Sequence, residues 1–177
     1  EIREETGDMK TIRMKAADGH ELAYFRAGQY IPVYAEIDGN IVERPYTLTA
    51  SPEESLNDGY YEISVKRAGD GYISNFINDS FKVGTAVTLG APMGVNFYMP
   101  MRDCKNIIGI AGGSGVTPFR SMARAICDGT MDASLTLISG CNKATDIAFA
   151  NEWPEYEKQT GGKVKCIPVI VYEELEG

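Results

Sequence analysis

The residues best suited by type and spacing to do chemistry lie between Asn106 and Arg124, in the stretch NIIGIAGGSGVTPFRSMAR. A β-branched apolar run from Ile107 to Ile110 leads through Ala111 into Gly112, Gly113, Ser114 and Gly115, the pattern of a buried parallel strand entering a tight turn. After Val116, Thr117 fits an N-cap and Pro118 the first helical position, where its missing N–H costs nothing. Phe119, Met122, Ala123 and Ile126 then recur at helical spacing on one face. Glycines at such a turn let the backbone come close to a ligand, and the free N–H groups and dipole of a helix start favour an anion, most often a phosphate. The spacing is not the G-x-G-x-x-G fingerprint, so this stretch alone is compatible both with a nucleotide site and with a plain strand-to-helix turn.

Other chemistry-bearing residues are sparse. Cys104, Cys127, Cys141 and Cys166 form no C-x-x-C pair, so no zinc or iron–sulfur site is written locally; they read as free thiols and no metal is expected. His20, the only histidine, follows Gly19 in a turn with no nucleophile beside it, which speaks against histidine-based catalysis.

The bulk properties narrow the class. With 44% hydrophobic and 24% charged residues the 177-residue chain is globular rather than disordered. Its formal net charge of -8 argues against a general nucleic-acid or anionic-membrane binder, both of which need a basic surface. No apolar stretch approaches the roughly 20 residues of a membrane helix, and the acidic start EIREETGD is unlike a signal peptide. A cytoplasmic setting without membrane insertion is the expectation.

The elements that must position the glycine turn change character along the chain. From residue 10 to about residue 98 the runs TIRMKA, ELAYF, YIPVYAEI, IVERPYTLTA, YYEISVKRA and AVTLG read as short strands separated by ADGH, DGN, NDGY and GDGY turns, which predicts an antiparallel β-barrel. ISNFINDS, after Gly71, interrupts them with a short helix whose inner side carries Ile73, Phe76 and Ile77. From Cys104 onward, strand 106–111, helix 117–128, strand LTLISG, a helical stretch from about Thr145 to Tyr156 and strand KVKCIPVIV predict a parallel sheet with crossover helices. The expected organisation is a barrel domain over residues 1–101 and an α/β domain over residues 102–177. Three parallel strands are few for a sheet covered on both faces, so the second domain is expected to be incomplete in this chain.

In this order the chain carries Gly28-Gln29-Tyr30, then Arg44-Pro45-Tyr46-Thr47, then Gly71-Tyr72-Ile73-Ser74-Asn75, then Gly112-Gly113-Ser114-Gly115-Val116-Thr117-Pro118-Phe119. With these four motifs on the expected elements, the chain resembles the ferredoxin–NADP reductase family of flavin-dependent oxidoreductases along almost its whole length. The resemblance implies a flavin, FAD, in the barrel and NADH or NADPH on the α/β domain, meeting in the cleft between them. Tyr46 offers a flat ring to stack on the flavin, Thr47 a hydroxyl for a ring nitrogen or oxygen, and Arg44, two residues from Tyr46 and so on its strand face, a guanidinium for the pyrophosphate. Gly71 permits an unusual backbone angle, and the start of the short helix at Tyr72, Ile73 and Ser74 offers N–H and hydroxyl donors to the same group. Lys66 stands where the family often places flavin contacts, and equally suits a solvated position.

Gly112 to Pro118 would then pass under the nicotinamide cofactor's pyrophosphate, with Thr117 near its nicotinamide end. Tyr46, Thr47 and Thr117 are thus the residues expected beside the reacting atoms. Two departures from the family pattern stand out. Its C-G-P segment is missing, and Gly140 is followed by Cys141, Asn142 and Lys143 with no arginine. A single lysine is a point charge, so NADH is favoured over NADPH. The resemblance implies a reductase that passes electrons to an acceptor protein, such as a ferredoxin, a flavodoxin or an oxygenase component, or to a small molecule. The alternative is a non-enzymatic flavin-binding electron-transfer subunit of a larger complex.

Overall fold

A computed structural model describes residues 1–171; residues 172–177, which the expected second domain includes, lie outside the described residues. In the first half, strands β1 (Ile2–Thr6), β2 (Met9–Met14), β3 (Tyr30–Ile37), β4 (Asn40–Thr47), β5 (Tyr61–Lys66) and β6 (Thr88–Leu89) form two antiparallel sheets, in the orders β1-β2-β5 and β4-β3-β6. Alternation sets the faces: Ile31, Val33, Ala35 and Ile37 of β3 are all buried, while Tyr34 and Glu36 point away. Asp38 and Gly39, at φ 53° and 75°, make the two-residue turn into β4 that such a hairpin prefers. The sheets share one core, built on Ile12, Phe25, Ile31, Val33, Leu48, Ile63, Val65, Ile73 and Ile77. They meet where Leu48 bridges Ile63, so the expected barrel is realised as two three-stranded sheets wrapped on that core.

Three segments differ from the sequence reading. ELAYF is not a strand: Phe25 is a buried plug, edge-on to Tyr61 at 6.0 Å, and the Tyr61 hydroxyl donates to Ala23 O at 2.6 Å. The acidic start supplies β1, whose pairing depends on the distant register of Ile2 with Ile12. A helix not anticipated, α1 (Pro52–Asp58), is capped by Ser51, which accepts from Glu54 N, and is closed by Gly59 at φ 65°. The expected short helix is present as α2 (Tyr72–Ser80), with Ile73 and Ile77 buried and Phe76 half-buried against Phe81.

In the second half, β7 (Asn106–Gly112), β8 (Ser134–Cys141) and β9 (Val164–Ile170) form a parallel sheet in that order. Helices α3 (Thr117–Cys127) and α4 (Glu152–Gln159) cover one face through Val116, Met122, Ala123, Ile126, Leu135, Leu137, Trp153 and Val164. The helix expected from about Thr145 is split into a 3-10 turn, Ala144–Asp146, and α4, with Phe149 at φ 59° between them. Among the described residues no helix is long and apolar enough to cross a membrane, and no group of three or more His, Cys, Asp and Glu side chains is arranged to hold a metal ion.

Candidate cofactor cleft

The first wall of the cleft comes from β4. Directly opposed residues of an antiparallel pair share a face, and Arg44 and Tyr46 stand opposite Val33 and Ile31, both fully buried. Arg44 therefore leaves the strand on the core side, yet it is exposed, so the barrel is open at this point. Among the described residues its Nη1 reaches no partner beyond a hydrogen bond to Glu43 O at 2.7 Å. Tyr46 packs half-buried at the edge of the core, where burial pushes its phenol up to about 12, so it is neutral at physiological pH. Pro45 is exposed, and Thr47, opposite Tyr30, is half-buried where β4 ends.

The start of α2 forms the second wall. The Tyr72 hydroxyl donates to Asp38 Oδ2 at 3.0 Å, holding the helix start against the β3–β4 hairpin, and Asn78 Nδ2 donates to Val65 O, holding the helix on β5. Among the described residues no side chain caps α2, so its leading N–H groups are open to an external acceptor. Gly71 lacks the unusual angle expected of it, at φ -77° and ψ 104°. Its need for glycine is steric: a Cβ would lie 2.2 Å from Ser74 Oγ and 2.8 Å from Ala68 Cβ. Ser74 Oγ lies 3.5 Å from Gly71 O, whereas Ile73 points into the core and anchors the helix rather than facing the cleft.

The third wall is the glycine turn. Gly113–Val116 is a 3-10 turn, and Gly113 adopts φ 52°. Thr117 is not the N-cap predicted: Val116 occupies that position, and Thr117 is the first helical residue, followed by Pro118, half-buried. The buried Thr117 hydroxyl donates to Ser114 O at 2.9 Å and so braces the turn. Val116 is buried in the core, while Gly112, Ser114 and Gly115 are exposed. Gly112 pairs with Gly140 on β8, where a Cβ would stand 3.6 Å from Ala111 O, so two bare backbones lie side by side at the C-terminal ends of parallel strands. Asn142 and Lys143 follow, both exposed.

Lys66 joins the two halves. At the end of β5 its Nζ pairs with Asp8 at 3.2 Å and lies beside Gly113, where an added Cβ would be 3.7 Å away. Gly28-Gln29-Tyr30 is a structural motif here. Gly28 has φ 101° and its Cβ would lie 2.1 Å from Asn96 O, Gln29 Nε2 donates to Gly94 O, and the Tyr30 ring covers Gly94. The cations near this cleft are largely paired: Arg67 with Asp79, Arg102 with Asp103 and Lys105 with Asp132.

One group went unnoticed in the sequence. Glu62 and Arg120 are buried and paired across the domain junction, joined by Arg13, Arg124 and Glu152. The signal was a lone glutamate inside the apolar run YYEISV.

An exposed guanidinium on the core side of a strand, a half-buried tyrosine, an uncapped helix start and a glycine turn suit two ligands that each carry a planar ring and a diphosphate. The fold and cleft thus define a two-domain, dinucleotide-binding class of oxidoreductase. The sequence profile described as oxidoreductase FAD-binding domain matches residues 1–98, and that described as oxidoreductase NAD-binding domain matches residues 110–176. The chain belongs to this family of FAD- and NAD-binding oxidoreductases, with FAD and NAD(H) as its cofactors. It is similar to the glycine betaine monooxygenase reductase subunit of Chromohalobacter salexigens, 32% identical over 85% of this chain and 40% of that protein. Similarity to a flavohemoprotein of Rhodopirellula baltica is 37% identity over 78% of this chain and 35% of the other. The flavohem-like FAD/NAD-binding domain of nitric oxide dioxygenase from Vibrio cholerae superposes with a TM-score of 0.86 at 27% identity, over 99% of this chain and 73% of that one. The chain therefore spans well under half the length of these two curated relatives.

Proposed function

We propose that the protein is an NAD(P)H-dependent flavoprotein reductase, in which hydride passes from the nicotinamide to FAD and electrons then go to an acceptor protein or small molecule. The observation that carries this reading is the contact between the end of β5 and the glycine turn, where Lys66 lies beside Gly113, in a chain that also presents the uncapped start of α2 and an exposed Arg44 to phosphate. Arg44, the α2 N–H groups and Ser74 would hold the FAD diphosphate, with the backbone of Gly71, Tyr72 and Ile73 shaping the helix start. Tyr46, beside Pro45, would offer its ring to the flavin, and Thr47 its hydroxyl to a polar ring atom. Gly112, Gly113, Ser114 and Gly115 admit the nicotinamide dinucleotide, with Val116, Thr117 and Pro118 fixing the turn and Gly140 and Asn142 forming the adjacent rim. The bound cofactors supply the hydride chemistry, and the residues named here supply alignment and exclusion of water.

The change from antiparallel to parallel strands supports a boundary between residues 101 and 102. Lys143 as the sole cation next to Asn142 supports NADH over NADPH. An oxygenase component fits as acceptor, by analogy with the monooxygenase reductase relative; the free thiols of Cys104, Cys127 and Cys166 fit a cytoplasmic setting. Denaturing the purified protein and chromatographing the released flavin tests the flavin half. FAD is the expected species, and FMN alone or no flavin overturns the assignment of Arg44 and α2 to a diphosphate.

A further inference from the structure

We propose that Glu62 and Arg120 are positioning residues for hydride transfer, their buried pair fastening the helix that follows the glycine turn to the strands that carry the flavin motifs. The inference rests on the cofactor reading given above.

The connection is short at both ends. Arg120 lies one helical turn past Thr117, and Glu62 lies on the same strand as Lys66. Arg120 is 1% exposed and Glu62 0%. Arg120 Nη1 donates to Glu62 Oε1 and to Thr49 O at 3.2 Å. Ser121 Oγ donates to Ala50 O at 2.7 Å. Thr49 and Ala50 directly continue the strand that ends in Tyr46 and Thr47. These three contacts of α3 with the first half, at Glu62, Thr49 and Ala50, thus fall within four residues of a cofactor motif.

The pair is also fully enclosed by partners. Glu62 accepts from Arg13 Nε at 2.7 Å, Arg124 Nη1 at 3.1 Å and Thr49 Oγ1 at 3.0 Å. Arg120 Nε and Nη2 donate to the two carboxylate oxygens of Glu152 at 2.7 and 2.8 Å, and its guanidinium stacks over the Phe149 ring at 4.4 Å. Burial of this kind gives little net stability compared with apolar side chains of equal volume, but it is directional. A planar guanidinium that satisfies a carboxylate on each side, a carbonyl and a ring has one pose, whereas an apolar contact at the same place allows the helix to slide. Displacement of the nicotinamide turn by about 1 Å is enough to lower hydride transfer by about a hundredfold.

The test compares the native protein with the double variant Glu62→Met and Arg120→Met, which leaves no buried charge alone: Arg124 keeps Glu54, Arg13 keeps Glu1 and Glu54, and Glu152 keeps Arg3. Nitroxides on Ile41→Cys and Lys158→Cys, with Cys104 and Cys127 changed to Ser, report the distance between the halves by pulsed EPR, with no need for cofactor. The expected result is a broadened distance distribution, FAD affinity within about twofold of native and a limiting rate of flavin reduction at saturating NADH lowered about tenfold or more. A distribution as narrow as native, or a native limiting rate, overturns the proposal. If the double variant does not fold, Arg120→Lys, which keeps the charge but cannot serve Glu62, Glu152 and Thr49 together, is expected to show the same changes to a smaller degree. If neither nicotinamide reduces the native protein, the proposed function falls, and the EPR distribution alone decides the positioning role, broadening supporting it and a native width refuting it.

Discussion

The ammonium of Lys66 lies beside Gly113, close enough that a Cβ on the glycine would stand 3.7 Å from Nζ. The end of β5 and the glycine turn are therefore in contact, and because Gly113 adopts φ 52° the turn tolerates no branched side chain there. Gly113→Val is expected to destabilise the protein by about 1–3 kcal/mol and to weaken NADH binding while leaving FAD affinity as it was. Thermal unfolding with parallel titrations of both cofactors checks this; an equal loss for both cofactors would show that the turn does not belong to the nicotinamide side.

Arg44 has no acidic partner among the described residues and stands on the open side of the barrel. Arg44→Ala removes a charge-assisted contact to phosphate worth about 1.5–3 kcal/mol, so FAD affinity is expected to fall about ten- to hundredfold with the fold intact. Fluorescence titration of the apoprotein is the measurement, and unchanged affinity would remove Arg44 from the site.

Gly28→Ala is expected to be among the most damaging single changes in the first half, because the new Cβ would meet Asn96 O at 2.1 Å and Met122 Cε at 2.7 Å, and its φ of 101° is closed to alanine. A loss of at least about 2 kcal/mol should appear in denaturant unfolding.

Burial alone would raise the Glu62 carboxyl, but Arg120, Arg124 and Arg13 outweigh it and bring it down to about 2. A group depressed in the folded state contributes stability that is complete above its unfolded value and is lost as pH falls through the folded one. That window runs from roughly 4.5 down to about 2 and carries about 3 kcal/mol. Melting temperatures recorded across it should fall more steeply for the native protein than for the Glu62→Met and Arg120→Met double variant. Parallel curves would assign the acid sensitivity elsewhere.

The local structure of the proposed cofactor motifs was legible in the sequence because each is written locally: a strand alternation places Arg44 with Tyr46, and a glycine run before a proline marks Gly112 to Pro118 as a turn into a helix. Reasons were less legible than positions. Gly71 is glycine because of Ser74 and Ala68, not because of its backbone angle, and Thr117 braces the turn from inside the helix rather than capping it. What escaped depends on residues far apart in the chain: β1 on its register with β2, Phe25 on Tyr61, and above all Arg120 on Glu62. Periodicity shows that such positions face inward, but the partner that makes an inward charge tolerable appears only once both halves have folded against each other.

The central claim is that the cleft aligns a nicotinamide with a flavin, and anaerobic stopped-flow mixing of the FAD-loaded protein with NADH tests it most directly. The account predicts that the flavin absorbance bleaches in a single transient whose rate saturates with NADH concentration, and that NADPH needs a higher concentration to reach the same rate. Flavin that is held by the protein and reduced by light, yet remains oxidised with both nicotinamides, would contradict it.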